Sequence, residues 1–293
     1  LIGLVGSEMC IRDRVTADST CDLSPALLAR YDITLAPLTV IKDGTSYADG
    51  LTITPQEIFS HVAAGGSLCS TAAVSVGEYQ ALFSRFARSC DGLVHITIGS
   101  GFSACYQNAC LAAAGFPNVR VVDSRNLSTG QGHVVLEACR LRDQAASLDG
   151  LCQELEQLTG KVEASFLLNR LDYMVKGGRC SSVVALGANL LRLKPCIEVV
   201  DNKMIVGKKY RGSYVKCMEH YVRDRLENCD DLLYDTIFIT HTPVPQEILD
   251  TVHRTVRECG DFEHIYETNA GCTISCHCGE GTLGVLYLHK PRN

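Results

Sequence analysis

The chain has 293 residues, of which 46% are hydrophobic and 20% are charged, and its formal net charge at pH 7 is -6. Proteins that bind duplex nucleic acid carry clustered Lys and Arg, and a bilayer span needs roughly 20 consecutive apolar residues. This sequence has neither feature, so it predicts no nucleic-acid partner and no membrane span. The length is sufficient for two domains.

The beginning of the chain does not resemble a folded segment. Residues 1–14 read LIGLVGSEMCIRDR. They start with Leu, and their charged residues occupy the place where a buried first strand is expected. We therefore predict that residues 1–14 are a non-native or disordered leader, and we leave them out of the fold analysis.

The first half of the chain alternates between strand and helix patterns. Ser24 precedes Pro25 at a helix start, and Thr54 and Ser75 each stand three residues before a Glu, which is the pattern of a capping box. Residues 70–75 are predicted to form a polar turn before a capped helix. The remaining predicted elements are strands at 93–98 and 119–122 and helices at 105–114 and 131–141. Such alternation predicts a largely parallel sheet with crossover helices.

The second half has a different pattern. An apolar stretch at 166–175 is helix-like and ends at a glycine pair. Segments 196–200 and 204–208 flank Asp201-Asn202, which predicts an antiparallel hairpin. The remaining predicted elements are a strand at 235–240, a helix at 245–259 and a strand at 283–288.

We predict two α/β domains, at 15–155 and 156–293, the second with a mixed sheet. Ligand pockets are common between domains, so we expect the ligand in the cleft.

Sixteen cysteines are scattered through the predicted elements. Scattered cysteines without a secretory signal are typical of free thiols in the reducing cytoplasm, where we place the protein. The densest group, Cys272, Cys276 and Cys278 with His277, lacks the paired CxxC spacing of a zinc site. We therefore predict no metal and no cofactor.

Segment 93–106 is the most informative stretch. An apolar run ends at Gly99, and a small polar turn leads into a helix, an arrangement suited to binding an anion. One interpretation is a dinucleotide site, since Gly99, Gly101 and Ala104 follow a strand in a G-x-G-x-x-A pattern, and Asp123 ends the next strand. A second mononucleotide-binding half, which such folds usually contain, is missing.

A second interpretation is a serine hydrolase acting on acyl esters. Residues 101–105 approximate the G-x-S-x-G nucleophile turn, and Ser103, Asp123 and His277 occur in the order of a Ser-Asp-His triad. However, Cys105 replaces the second Gly, whose missing side chain allows that turn to close.

A third interpretation is that Ser103 holds a carboxylate without chemistry. Seven stretches, taken in order, resemble the DegV family of bacterial fatty-acid-binding proteins, which serve a fatty acid kinase. These stretches are 18–23, 71–79, 99–109, 121–124, 176–181, 190–195 and 277–284. The resemblance implies two α/β domains with an acyl chain buried between them.

The resemblance also implies roles for particular residues. Thr71 and Ser103 are similar to the hydroxyl pair that holds the fatty-acid carboxylate, and His277 to the imidazole that supports this pair. Arg179 resembles the arginine of the family's Gly-Gly-Arg motif, and Arg211 an arginine implicated in phosphoryl transfer with the kinase. These similarities imply a non-enzymatic carrier that binds one long-chain fatty acid, presents it to a kinase and contributes to phospholipid synthesis.

The chain departs from the family pattern in two places. Gly99 stands where relatives usually have Ser, and Ala104-Cys105 stand where they have Gly-Thr. Residues 72–74 are Ala-Ala-Val where many relatives have Ser-Gln-Pro. The serine hydrolase, followed by the dinucleotide-binding enzyme, is the alternative to the carrier.

Overall fold

The computed structural model describes residues 13–142, 144, 147–184, 193–227 and 229–290. The strands in these ranges are β1 (Arg14–Asp18), β2 (Thr34–Ala36), β3 (Thr39–Lys42), β4 (Thr45–Ala48), β5 (Ser70–Ala72), β6 (Leu93–Thr97), β7 (Val119–Asp123), β8 (Val162–Leu167), β9 (Leu193–Val200), β10 (Lys203–Arg211), β11 (Leu232–His241), β12 (His264–Asn269) and β13 (Leu283–His289). The helices are α1 (Pro25–Arg30), α2 (Pro55–Ala63), α3 (Val76–Phe86), α4 (Cys105–Ala113), α5 (Ser128–Leu141), α6 (Leu148–Thr159), α7 (Asp172–Gly177), α8 (Ser181–Val184), α9 (Tyr214–Leu226), α10 (Gln246–Cys259) and α11 (Cys272–Cys278).

The first half of the chain builds a parallel sheet in the strand order β2-β1-β6-β7. Every residue of β6 is buried, because helices cover both faces of a parallel sheet. The predicted capping boxes at Thr54 and Ser75 are both formed, and Ser24 caps α1. The predicted parallel sheet is therefore confirmed.

A small antiparallel sheet, in the order β4-β3-β5, lies beside the parallel sheet. The sequence predicted a polar turn at 70–75, but residues 70–72 form β5, and Thr71 pairs with Val40 of β3. The prediction was wrong here because three-residue strands owe their conformation to their neighbours and have no periodicity of their own.

The second half builds a mixed sheet in the order β10-β9-β8-β13-β11-β12, in which only β11 and β12 pair in parallel. The predicted hairpin is formed by β9 and β10. Its turn residues Asp201 and Asn202 have φ of 47° and 61°, the left-handed conformation that a two-residue hairpin turn requires.

The prediction of one helix over residues 166–175 was wrong. The chain continues as β8 to Leu167, and α7 begins only at Asp172. An apolar run of this length can be either strand or helix, and the pairing of β8 between β9 and β13 decides it. The predicted glycine end is correct, since Gly178 adopts the left-handed conformation after α7.

Helix α5 joins the two halves. Its first eight residues are buried, and it contacts β1 and β6 on one side and β8, β11 and β13 on the other. It begins at Ser128, three residues before the predicted start. The core around α5 combines Val15 and Val94 of the first half with Phe238 and Leu286 of the second.

The predicted domain boundary falls inside a helix. Residues 155 and 156 lie within α6, which packs against β7 and α5. Of the predicted leader, residues 1–12 lie outside the described residues, and Arg14 is the first residue of β1. The exact domain bounds remain a prediction. Within the described ranges, no helix combines the length and the apolar character that crossing a membrane would need.

Candidate functional site

A cavity of about 530 Å³, the first cavity, lies where the small sheet, the turn after β6, the β9–β10 hairpin and α11 meet. Four of the predicted site residues line it: Thr71, Ser103, Arg179 and His277. The rest of its lining is mainly apolar and comprises Leu38, Ala72, Ala73, Ile98, Phe102, Leu127, Met174, Met204, Thr273, Ile274 and Cys278. A mostly apolar cavity with a few converging polar groups is the usual form of a small-molecule site.

Thr71 and His277 are directly hydrogen-bonded. Thr71 Oγ1 on β5 lies 2.8 Å from Nε2 of His277 on α11, although the residues are 206 positions apart. Burial, with a smaller contribution from the positive charge of Arg179, lowers the pKa of His277 to about 4. The imidazole is therefore neutral at neutral pH.

The other ring nitrogen indicates the tautomer. His277 Nδ1 is buried with no hydrogen-bond partner among the described residues, and a Cβ added to Gly177 would lie 2.2 Å from it. An unpaired buried N–H is rarer than an unpaired acceptor. We therefore assign the proton to Nε2, which donates to Thr71 Oγ1 and leaves the Thr71 hydroxyl hydrogen free for a ligand.

Two buried carboxyl groups of the first half hold the start of α11. Asp49 accepts hydrogen bonds from the backbone N–H groups of Cys272 and Thr273 and from the hydroxyl of Thr273, at 2.9, 3.2 and 2.7 Å. The backbone N–H of Gly271 donates to Asp22 at 2.9 Å. These bonds satisfy N–H groups that have no partner within the helix, and so they fix the helix that carries His277.

The surroundings of Asp22 favour its protonated form. Burial raises the pKa of Asp22 to about 8, opposed by the hydrogen bonds from Ser128 and Gly271. Asp22 is therefore largely protonated at neutral pH. Neither Asp22 nor Asp49 was predicted as a site residue, because their partners Ser128, Gly271 and Cys272 lie more than 100 residues away.

Ser103 belongs to the turn of residues 99–103, which we call the Ser103 turn. The Ser103 hydroxyl accepts a hydrogen bond from the backbone N–H of Cys105 at 3.3 Å and lies 3.2 Å from the Cys105 sulfur. Burial raises the pKa of the Cys105 thiol to about 12, so this thiol stays protonated. Within the described part of the chain, the Ser103 hydroxyl therefore donates only to a neutral sulfur, which is a weak acceptor.

Arg179 follows the left-handed Gly178 at the end of α7. Its guanidinium donates to the carbonyl of Gly177 at 2.7 Å, and the residue is exposed while still lining the first cavity. The structure therefore places one positive charge at the solvent-facing side of the site.

A second cavity of about 350 Å³ adjoins the first. The two share Leu127, Ile274 and Cys278 in their linings. Although hydroxyl groups line the second cavity, each has an internal partner. Thr240 bonds to Thr129 and Thr268, Ser128 donates to Asp22, Thr242 donates to Gly279, and Thr282 donates to Cys278. The second cavity therefore suits an apolar group.

The site geometry is now specific enough to compare with known proteins. The sequence model of a family described as an uncharacterised protein of the DegV family matches residues 14–290 of this chain. The chain belongs to the DegV family. A DegV domain-containing protein of Clostridium acetobutylicum is similar to it, with 28% identity over 279 residues that cover 94% of this chain and 98% of the relative.

Solved structures agree with this family and with the predicted fold class. A structure described as fatty acid binding of a DegV family protein from Thermus thermophilus superimposes with a TM-score of 0.85 at 26% identity, covering 95% of this chain and 99% of that chain. A stearic acid-binding protein from Eubacterium ventriosum gives a TM-score of 0.79 at 25% identity, covering 94% and 98%. The predicted two α/β domains are thus confirmed.

The serine hydrolase triad is not assembled in this DegV family chain. His277 bonds to Thr71, whereas the Asp123 carboxylate accepts from the backbone N–H and hydroxyl of Ser100 at 3.0 and 2.6 Å and from the backbone N–H of Arg125 at 2.9 Å. A triad needs its base between nucleophile and acid. The order of the three residues along the chain was therefore misleading.

The dinucleotide pattern also has another explanation. A Cβ added to Gly101 would lie 1.8 Å from the carbonyl oxygen of Asn202, and one added to Gly99 would lie 2.5 Å from the Asn202 side-chain oxygen. The glycines make room for the β9–β10 hairpin. Asp123 is occupied by the hydrogen bonds described above, so it is not a free ribose ligand.

Arg211 is not part of the cavity. It is the last residue of β10, at the edge of the mixed sheet, and it is exposed. Met204, on the same strand, does line the first cavity. Seven strand positions separate the two residues, a distance of about 20 Å. Arg211 is therefore outside the lining that the other four predicted residues share.

The cysteines near His277 do not form a joint metal site. Cys272 and Cys276 pack with Val40, Ile53, Ile58 and Cys69, whereas Cys278 lines both cavities. Burial raises the thiol pKa of all three. Within the described ranges, three possible ligand side chains approach one another at Cys229, Asp231 and His289, where the carboxylates of Asp231 and Glu163 also raise the pKa of His289.

Proposed function

We propose that this DegV family chain binds one long-chain fatty acid, with the carboxylate at Thr71 and Ser103 and the acyl chain in the two adjoining cavities. The observation that carries the proposal is the first cavity itself. Thr71, Ser103, His277 and Arg179 line it, and apart from Thr273, whose hydroxyl donates to Asp49, the rest of its lining is apolar.

The polar end has the donors that a carboxylate needs. A carboxylate that leaves water without hydrogen bonds loses several kcal/mol. In the assigned tautomer, the Thr71 hydroxyl donates to the ligand because His277 already donates to Thr71. Ser103 supplies a second hydroxyl, and Arg179 supplies the opposite charge at the solvent-facing side.

The apolar end has a lining that suits an acyl chain. The lining shared at Leu127, Ile274 and Cys278 makes the two cavities adjacent, and the hydroxyl groups of the second cavity are already paired. Burying apolar surface stabilises a complex by about 25 cal/mol per Å², so an acyl chain gains more the deeper it extends. The relatives from Thermus thermophilus and Eubacterium ventriosum, described as fatty acid binding and stearic acid-binding, support this ligand class.

We propose further that the chain acts in the cytoplasm as a carrier and presents the bound carboxylate to a separate fatty acid kinase, which forms an acyl phosphate. A carrier needs no nucleophile paired with a base, and Ser103 has no such base beside it in this structure. The exposed Arg179 leaves the carboxylate end near solvent, where a kinase can reach it. Arg211, exposed on β10, is our candidate for the phosphoryl-transfer step.

The first experiment is extraction of the purified protein with organic solvent, followed by mass spectrometry. We expect close to one equivalent of a long-chain fatty acid. The matched test is the double variant S103A/T71A, which we expect to stay folded, with a lower melting temperature because His277 loses its partner, and to retain much less fatty acid. Unchanged lipid content in a folded double variant would remove the carboxylate assignment.

The kinase step has its own experiment. Loaded protein is incubated with a fatty acid kinase and ATP, and acyl phosphate is trapped with hydroxylamine. We expect product with the kinase and none without it, and R211A is expected to lower the yield while lipid content stays the same. Product formed by the chain alone would contradict the carrier role.

A further inference from the structure

The β9–β10 hairpin of the second half reaches the Ser103 turn of the first half. At its tip, Asn202 adopts the left-handed conformation with φ of 61°. Asn is the non-glycine residue best suited to that conformation, because its short polar side chain can form local hydrogen bonds. Here, however, the side chain bonds to the Ser103 turn and not to its own hairpin.

The side chain of Asn202 uses both its donor and its acceptor on that turn. Its Nδ2 donates to Ser100 Oγ at 2.8 Å and to the Asp123 carboxylate at 3.3 Å. Its Oδ1 accepts from the backbone N–H of Gly101 at 3.2 Å. Three hydrogen bonds from one amide orient a turn far more strictly than one does.

The turn is shaped to receive the hairpin. The added Cβ of Gly101 would overlap the Asn202 carbonyl oxygen, at 1.8 Å. Within the turn, the backbone N–H of Phe102 donates to the carbonyl of Gly99 at 2.9 Å, so displacement of Gly99 or Gly101 moves Phe102 and Ser103 as well. Phe102 and Ser103 both line the first cavity.

We propose that Asn202 is a positioning residue that sets the Ser103 hydroxyl for the ligand carboxylate. This inference rests on the proposed function, since it assigns Asn202 a part in holding the same carboxylate. Asn202 contributes through the Ser103 turn and does not line the first cavity. Met204, two residues further along β10, does line it, so the hairpin contributes to both the polar and the apolar part of the site.

The test uses a matched pair of variants. Asn202→Gly removes the amide and keeps a residue that adopts positive φ without strain. Asp201→Gly makes the same backbone change at the neighbouring turn residue, whose φ is 47°. Binding of stearic acid and of its methyl ester is measured for both variants and for wild type, and for each variant combined with S103A.

We expect N202G to bind stearic acid about tenfold more weakly than wild type, with methyl ester binding and melting temperature unchanged. D201G should behave like wild type. The effect of N202G should largely disappear in the S103A background, because Asn202 acts through Ser103. An equal loss for acid and ester, or full additivity with S103A, would overturn the proposal.

Hydrogen–deuterium exchange tests the positioning without any ligand. We expect faster exchange of the amides of residues 99–103 in N202G than in wild type or D201G. Unchanged exchange overturns the inference even where the fatty acid binds. If wild-type protein binds no stearic acid but N202G still loosens the turn, the proposed function fails and the positioning contact stands.

Discussion

Thr71 and Ser103 face the same cavity, but the molecule holds them in different ways. Thr71 lies in a strand, and its hydroxyl bonds to a neutral histidine on a helix whose first N–H groups are held by Asp49. Ser103 lies in a turn that is fixed from outside by the tip of a hairpin. Thr71 is therefore positioned by largely buried contacts, and Ser103 by an exposed contact between the two halves.

This difference has a consequence for stability and binding. Changes on the Thr71 side remove buried hydrogen-bond partners, so they should affect both the free energy of unfolding and the affinity. Changes on the Ser103 side act at the surface, where surrounding water replaces lost hydrogen bonds, so they should affect affinity alone.

The largest expected effect is at Asp49, which holds the start of α11 and so the position of His277 beside Thr71. Asp49→Ala removes the acceptor for two backbone N–H groups and for the hydroxyls of Thr273 and Ser19. We expect the free energy of unfolding to fall by about 3 kcal/mol, because buried donors lose their partner. Urea denaturation measures this loss of unfolding free energy. Asp250→Ala on the exposed face of α10 is the control and should change stability by less than about 0.5 kcal/mol.

The next effect is on affinity and concerns the Thr71 hydroxyl. Thr71→Val keeps the shape of the side chain and removes the hydroxyl, while Thr71→Ser keeps the hydroxyl. We expect T71V to weaken stearic acid binding by about 10- to 100-fold, since a hydrogen bond to a charged group contributes about 1.5–3 kcal/mol. T71S should bind within a few-fold of wild type. Equal affinities of T71V and T71S would show that the hydroxyl does not contact the ligand.

The pH dependence adds a second test of the Thr71 side, because His277 belongs to it. The pKa of His277 is about 4 in the folded protein, below its ordinary value of 6.5. Between these values the unfolded chain binds more protons, so stability from His277 is complete above pH 6.5 and is lost as pH falls towards 4.

The variant His277→Gln cannot take up that proton. We expect the difference in unfolding free energy between wild type and H277Q to shrink on acidification from pH 6.5 to 4, by up to about 1.4 kcal/mol per pH unit. Urea denaturation of both proteins at pH 6.5 and at pH 4 measures this difference. A constant difference for H277Q would contradict a neutral, buried His277.

The smallest expected effect concerns the apolar space that both sides adjoin. Ile274 lines both cavities. Ile274→Phe should narrow the connection between them and weaken stearic acid about tenfold relative to lauric acid, while Ile274→Leu keeps the volume and should change this ratio little. Competitive displacement of a fluorescent fatty acid measures the affinities for stearic acid and for lauric acid. An unchanged ratio in I274F would mean that the acyl chain does not pass Ile274.

Much of the fold was predictable because its signals are local. The capping boxes at Thr54 and Ser75, the glycine end of α7 and the hairpin at Asp201 each depend on residues within a few positions of one another. Alternating strand and helix patterns then limited the topology to a parallel sheet. The errors, at β5 and at 166–175, fell where neighbouring strands decide the conformation.

In the candidate site, too, some features were predictable from the sequence and others depended on distant parts of the chain. The sequence by itself determined which residue types were present for a carboxylate: hydroxyls at Thr71 and Ser103, the imidazole of His277 and the cation at Arg179. It could not distinguish a triad from a binding site, because order along the chain carries no distances. Arg211 was carried over from the same family resemblance, but it is exposed, lies outside the lining of the first cavity and stands about 20 Å along β10 from Met204.

Only the tertiary structure decided how these groups act. It pairs Thr71 with His277 across 206 positions, keeps the imidazole neutral by burial, and brings Asn202 onto the Ser103 turn across about 100 positions. Burial and distance are properties of the packed chain. The side chains were therefore readable in the sequence, while their protonation, partners and orientation were set by packing.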